Sequence, residues 1–166
     1  MDVTLRRWDG QDRPLLDAFN TPEMTAHLGG PETLAQLDER QERYERLMAA
    51  GEARMFRIDV DGAPAGGIGY WIVDHGGRDA FETGWSVLPP FQGRGVAGAA
   101  LRELIARVRE DGRRDLLVAY PGADNPASNA LCRGAGFSMT GEGSEPWRGG
   151  VLHFHVWELE LRPGEG

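Results

Sequence analysis

Residues 91–100 read "FQGRGVAGAA", and two phosphate-cradling patterns overlap within them. Gly93-x-Gly95-x-x-Gly98 has the letter spacing of the dinucleotide fingerprint. Gln92-x-x-Gly95-x-Ala97 is a different pattern. Both rest on the same physics. Glycines let a backbone approach a ligand, and the first turn of a helix leaves N–H groups free in a field that favours an anion. Arg94 adds a cation. A bland reading stands beside these two, a glycine-rich turn that only lets a strand and a helix pack.

The sequence around the loop decides between the patterns. The dinucleotide fingerprint wants a buried parallel strand running straight into its first glycine. Here the preceding segment, Ala80–Leu88, alternates polar and apolar residues, and Pro89, Pro90 and Phe91 intervene. The fingerprint also wants an acid about 20 positions on, at the end of the next strand. That position falls inside the apolar run "LLVAY", and the first acid after it is Asp124, beside a helix start.

Outward from the loop, the pattern alternates between strand and helix periods. Val3–Trp8 reads as a first strand, Asp9–Asn20 as a short helix, and Glu32–Ala50 as a longer charged helix that Pro31 opens at its first turn. Residues 54–60, 65–74 and 80–88 read as an antiparallel meander, with Asp61-Gly62 and His75-Gly76-Gly77 as turns. Val96–Asp111 is an amphipathic helix with Ala97, Leu101, Leu104, Ile105 and Val108 in one stripe, stopped by Gly112. Asp115–Tyr120 is a buried strand. Asn125-Pro126 opens a last helix that runs to about Ala135. Residues 137–143 and 151–161 close the chain as two strands joined by a Gly/Pro-rich loop that holds Trp147. The tail "RPGEG" is expected to fray. The order predicts an α/β (α+β) fold in one domain spanning 1–166. Its core is a mixed, twisted sheet of six to seven strands with helices on both faces.

Composition removes several chemistries. All 18 basic residues are arginine, so neither a Walker A loop nor a pyridoxal-phosphate Schiff base has its lysine. One cysteine, Cys132, allows no intrachain disulfide and no Cys-based zinc site. A net charge of −8 argues against binding a nucleic-acid backbone. No apolar run approaches the roughly 20 residues that cross a bilayer, and the first ten residues hold no secretory core. The expectation is a cytoplasmic protein with no metal, no nucleic-acid partner and no membrane partner.

The segment Glu82–Ala97, "ETGWSVLPPFQGRGVA", resembles the acetyl-CoA motif of the GNAT N-acetyltransferase superfamily. The resemblance continues in "NPASNALCRGAGF", Asn125–Phe137, which is similar to that family's second cofactor segment, one helix and one strand further on. It implies a sheet split between the fourth and fifth strands, with acetyl-CoA as co-substrate in the gap. Gly93, Arg94, Gly95, Val96 and Ala97 would then hold the pyrophosphate through backbone N–H groups. Gln92 would brace the loop, and Val87 would offer backbone hydrogen bonds to the pantetheine. Asn125 and Ser128 would flank the cofactor from the last helix. Asn125, Ser128 and Cys132 share one helical face, and Ala127, Ala130 and Leu131 are expected to face the sheet.

The implied reaction is direct attack of a primary amine on the thioester, with a base to take the ammonium proton. Glu82, in the middle of the fourth strand, is the candidate base. Its alternative is an ordinary strand carboxylate. Many members of the family place a tyrosine acid where this chain has Cys132, so Cys132 stands as a weaker candidate donor, beside Tyr120 or an unassisted leaving thiolate. His153 and His155 face the same way on the last strand, with no third metal ligand in view. Trp147 is a candidate substrate contact. The acceptor would be a small-molecule amine or a protein N-terminus, and a homodimer is allowed. A non-catalytic acyl-CoA sensor or structural domain is the rival reading.

Overall fold

Seven strands form one sheet in the order β1-β2-β3-β4-β5-β7-β6. The computed structural model describes residues 1–162. The strands are β1 Val3–Arg7, β2 Ala53–Val60, β3 Ala63–His75, β4 Arg78–Val87, β5 Leu116–Ala119, β6 Ser138–Trp147 and β7 Gly150–Glu160. The helices are α1 Arg13–Phe19, α2 Leu34–Ala49, α3 Val96–Asp111 and α4 Pro126–Gly134. Every neighbouring pair is antiparallel except β4 and β5, which run parallel. The expected mixed sheet is therefore present, and its parallel pair is the fourth and fifth strands. The last four residues, which hold most of the tail expected to fray, lie outside the described residues.

The two faces of the sheet bury different helices. Strand side chains alternate between faces, so Phe81 and Leu117 join α3 in the larger core. Val118 and Ala80 belong to a separate cluster with Val73 and Tyr120. Helix α3 buries Val96, Ala100, Leu101, Leu104, Ile105 and Val108, each larger side chain contributing about 1.5–3 kcal/mol. On the other face, Leu16 of α1 and Leu37 of α2 pack with Trp8 and Met55.

Three local expectations are corrected. Pro31 does not open α2. Thr33 caps it, its side chain accepting from the Gln36 N–H while the Gln36 side chain accepts from the Thr33 N–H. The helix expected over Asp9–Asn20 begins as a 3-10 turn, Gly10–Asp12, capped by Asp9, before α1. Trp147 does not sit in a long loop, because β6 and β7 run on to a two-residue turn. Arg148 at φ 49° and Gly149 at φ 79° provide it, with Trp147 paired to Gly150. Two positive φ angles match the twist of the flanking strands. Pro146 is tolerated because β6 is an edge strand. This hairpin tip reaches across to the segment between α1 and α2. The Trp147 indole donates to the Leu28 carbonyl at 2.6 Å, and Arg148 donates to the carbonyl of Gly30.

Candidate functional site

The parallel pair holds together over only two registered positions, Phe81 with Leu117 and Glu82 with Val118. Strand β4 continues to Val87 while β5 stops at Ala119. From Thr83 to Val87 the edge of β4 is therefore unpaired on its β5 side, and the sheet is split toward the C-terminal ends of these strands. The Leu88 N–H donates to the Ala65 carbonyl at 2.8 Å. Antiparallel ladders alternate, so the polar backbone groups of Val87 point the other way, into the split. Its carbonyl is already engaged. The Gln92 side-chain amide donates to it at 2.8 Å. This bond ties Gln92 to the end of β4, and the Val87 N–H points into the split.

A 3-10 turn, Pro89–Phe91, leads from β4 into the loop. Gly93 has φ +72° and Gly95 has φ +79°, and a Cβ added at either would meet nothing within 4 Å. Backbone conformation, rather than crowding by protein atoms, requires glycine there. Gly95 is the N-cap of α3 and has no side chain to cap it. Among the described residues, no acceptor in hydrogen-bonding geometry takes the N–H groups of Gly93, Arg94, Gly95, Val96, Ala97 or Gly98. These N–H groups lie at or just before the positive end of a 16-residue helix. The Arg94 guanidinium lies 5.7 Å from the centre of the Phe91 ring. These donors fit a pyrophosphate.

Helix α4 lies beside this loop, with Leu131 under Gly98. Asn125 is its N-cap, accepting from the Ser128 N–H at 3.2 Å. The expected faces of α4 are corrected. Asn129 and Cys132 are the buried positions, whereas Ala127 and Ala130 are exposed. The reason is Asn129, which the sequence does not advertise. Its side-chain nitrogen donates to the carbonyls of Gly122 at 3.0 Å and Asn125 at 2.8 Å. Its oxygen accepts from the Trp157 indole at 2.8 Å and meets His155 Nδ1 at 2.8 Å. This buried hub turns α4 onto β7. Cys132 is fully buried in the main core, and burial pushes its thiol up to about 12. That environment is one of packing and gives a donor role no support.

On the opposite face, four residues line up across four strands. Trp71 pairs with Glu82, Glu82 with Val118, and Val118 with Glu158. Glu82 is half-buried. Its carboxyl is raised to about 7, chiefly by burial, with Glu145 adding to the rise and a hydrogen bond from Trp71 opposing it. Tyr120, two residues past Val118, returns to the same face. Its hydroxyl lies 2.5 Å from His75 Nδ1, and His75 Nε2 lies 3.1 Å from Glu158. His155 turns to Asn129 on the other face, and among the described residues no group of three or more His, Cys, Asp or Glu could hold a metal ion. No helix there is long and apolar enough to cross a membrane.

The acetyltransferase (GNAT) domain model matches residues 2–138, and the chain belongs to that family. It is an acetyl-CoA-dependent N-acetyltransferase, with acetyl-CoA as its co-substrate. Solved structures agree in fold. A ribosomal-protein-alanine N-acetyltransferase from Brucella melitensis is 27% identical, covering 95% of this chain and 99% of that one, with a TM-score of 0.79. The yncA protein from Salmonella typhimurium, with acetyl-CoA bound, is 24% identical, covering 99% and 96%, with a TM-score of 0.77. A spermidine N-acetyltransferase from Vibrio cholerae with CoA and spermine is 17% identical, covering 96% and 95%, with a TM-score of 0.78. No curated protein matches the sequence.

Proposed function

We propose that Glu82 is the general base that takes the proton from a primary ammonium as its amine attacks the acetyl group at the β4–β5 split. One observation carries this reading: a half-buried carboxyl, raised to about 7, sits on the last registered pair before the strands part. A base with that value is largely ionised just above neutrality yet still holds a proton well. The free N–H groups of Gly93 to Ala97 hold the pyrophosphate, and Gln92 fixes the loop. The Val87 N–H meets the pantetheine, and Asn125 and Ser128 line its flank. Cys132 packs, and the thiolate leaves without its help.

The Glu145 carboxylate acts on Glu82, and Glu158 lies in the same row two strands away; this acidic face supports an acceptor that arrives as a cation. The acceptor is a small amine or a polypeptide α-amino group. Named activities of similar structures support both, an alanine N-terminus in one and spermidine in another. The reading takes 1–166 as one domain, supported by the single sheet running from β1 to β7, and assigns it to the cytoplasm.

The test presents the protein with acetyl-CoA and a panel holding spermidine, free amino acids and alanine-initiated peptides. Free thiol and the mass of each amine are followed. An acetylated amine matched by thiol release is expected. Acetyl-CoA binding without acetylation of any amine would overturn the reading.

A further inference from the structure

Tyr120 is the other proton donor that the sequence offers in place of the family's tyrosine, and its surroundings give it the opposite role. Its ring is clamped between His75, at a centroid distance of 5.7 Å, and Phe154, at 5.5 Å. Its hydroxyl is 2.5 Å from His75 Nδ1. The other nitrogen of His75 is 3.1 Å from a Glu158 oxygen. That same oxygen accepts from the Thr140 hydroxyl at 2.8 Å.

The order of donors follows from the far end. An ionised carboxylate only accepts, so His75 Nε2 carries a proton and donates it. A neutral imidazole with a proton on Nε2 has a bare Nδ1. With the imidazole neutral, the Tyr120 hydroxyl donates to Nδ1. Its proton is committed to Nδ1, and its oxygen keeps lone pairs close enough to Glu82 to feel that charge. The carboxylate of Glu158 is held below the usual range, first by His75 and then by Thr140. The Tyr120 hydroxyl is pushed up to about 12 by burial and by Glu82 and Glu158, so it stays a phenol.

We propose that Glu158 and His75 lock the Tyr120 hydroxyl as a hydrogen-bond acceptor for the incoming amine, beside Glu82. The role rests on the reading of Glu82 as the base. The ammonium gives one proton to Glu82, becomes the attacking amine, and keeps two N–H groups that need partners. The Tyr120 oxygen takes one of these N–H groups and aims the nitrogen lone pair toward the split. The lock has a second effect. A free hydroxyl here would donate to the Glu82 carboxylate and lower its affinity for a proton. Tying that hydrogen to His75 keeps Glu82 basic. The other groups facing Glu82 are the Trp71 indole on β3, Glu145 on β6 and Glu158 on β7. Neither carboxylate can replace the proton that the lock withholds.

Two measurements test this. The first needs no acceptor: long-range 15N–1H correlation on the imidazole of His75 in the full chain above neutral pH. A protonated Nε2 and a bare Nδ1 are expected, and a proton on Nδ1 overturns the proposal. The second compares variants by steady-state kinetics with whichever of spermidine or an alanine-initiated peptide is acetylated. Tyr120→Phe is expected to raise KM for the amine about 10- to 100-fold, the value of a hydrogen bond to a charged group, with KM for acetyl-CoA unchanged. His75→Phe is expected to move the acid limb of kcat/KM about one pH unit lower, and His75→Asn, whose side-chain oxygen replaces Nδ1, restores it. An unchanged amine KM in Tyr120→Phe, or an unmoved limb in His75→Phe, sinks the lock. Wild-type activity in Glu82→Gln sinks the base instead, so the two failures are distinguishable.

Discussion

The side-chain amide of Gln92 donates to the carbonyl of Val87 across 2.8 Å, tying the glycine loop to the end of β4. This bond links the strand that forms one wall of the split to the N–H groups at the start of α3. Removing it in Gln92→Ala frees the loop without touching the core, because Gln92 is exposed. An ordinary hydrogen bond contributes about 0.5–1.5 kcal/mol net. KM for acetyl-CoA is expected to rise roughly 2- to 12-fold by that measure, with KM for the amine unchanged. Isothermal titration with CoA checks the same quantity at equilibrium.

Gly95 separates conformation from charge. At φ +79° any side chain is strained, yet a Cβ there meets no protein atom within 4 Å. Asparagine and aspartate tolerate this region best among other residues. Gly95→Asn and Gly95→Asp should therefore lose similar stability in urea unfolding. Gly95→Asp should bind CoA more weakly than Gly95→Asn, because it adds an anion beside the donors that face the pyrophosphate. Equal CoA affinity in the two variants would place the pyrophosphate elsewhere.

Asn129 predicts a stability effect. Asn129→Leu keeps the size but leaves the Trp157 indole and His155 Nδ1 without their partner, while the Gly122 and Asn125 carbonyls keep backbone N–H donors. Each buried polar group left unsatisfied costs about 1–3 kcal/mol. A loss of roughly 2–4 kcal/mol in urea unfolding is expected. A change below about 0.5 kcal/mol, the range of ordinary surface substitutions, would mean the hub contributes nothing.

Much of this architecture is legible in the sequence, and the parts that are not share a cause. The bounds of α3 follow from Gly95, Gly112 and an apolar stripe, all local signals. The turn at Asp61-Gly62 and the N-cap at Asn125 are equally local. Pro31 misleads because the local rule for proline competes with a capping box two residues later. The β6–β7 turn is missed because "PWRGG" reads as loop chemistry, while an edge strand tolerates its proline. The position of Glu82 on a strand face is legible, but its burial and its alignment with Trp71 and Glu158 depend on register between distant strands. The contact from His75 to Glu158 spans 83 positions of the chain. Asn129 shows no sign at all, since an asparagine inside a helix gives no local hint of what it meets across the core.

Cys132 provides a direct comparison with the family pattern. It is fully buried, and burial holds its thiol protonated up to about 12. Cys132→Ala removes the thiol and leaves a small cavity. Turnover is expected to stay within about threefold of the parent, well short of the roughly 100-fold that a general acid supplies, although the melting temperature falls. A loss of 100-fold in kcat with CoA affinity intact would restore Cys132 as a proton donor.

The central claim is that Glu82 removes the ammonium proton, and the pH dependence of kcat/KM for the amine tests it most directly. A carboxyl raised to about 7 is inactive when protonated, so the rate should climb as pH rises through about 7 and level off above it. In Glu82→Gln that limb should vanish and the plateau should fall at least about 100-fold, the lower range for general base catalysis, while CoA binds as before. A Glu82→Gln enzyme with the parent's plateau and the parent's limb near pH 7 would contradict the account.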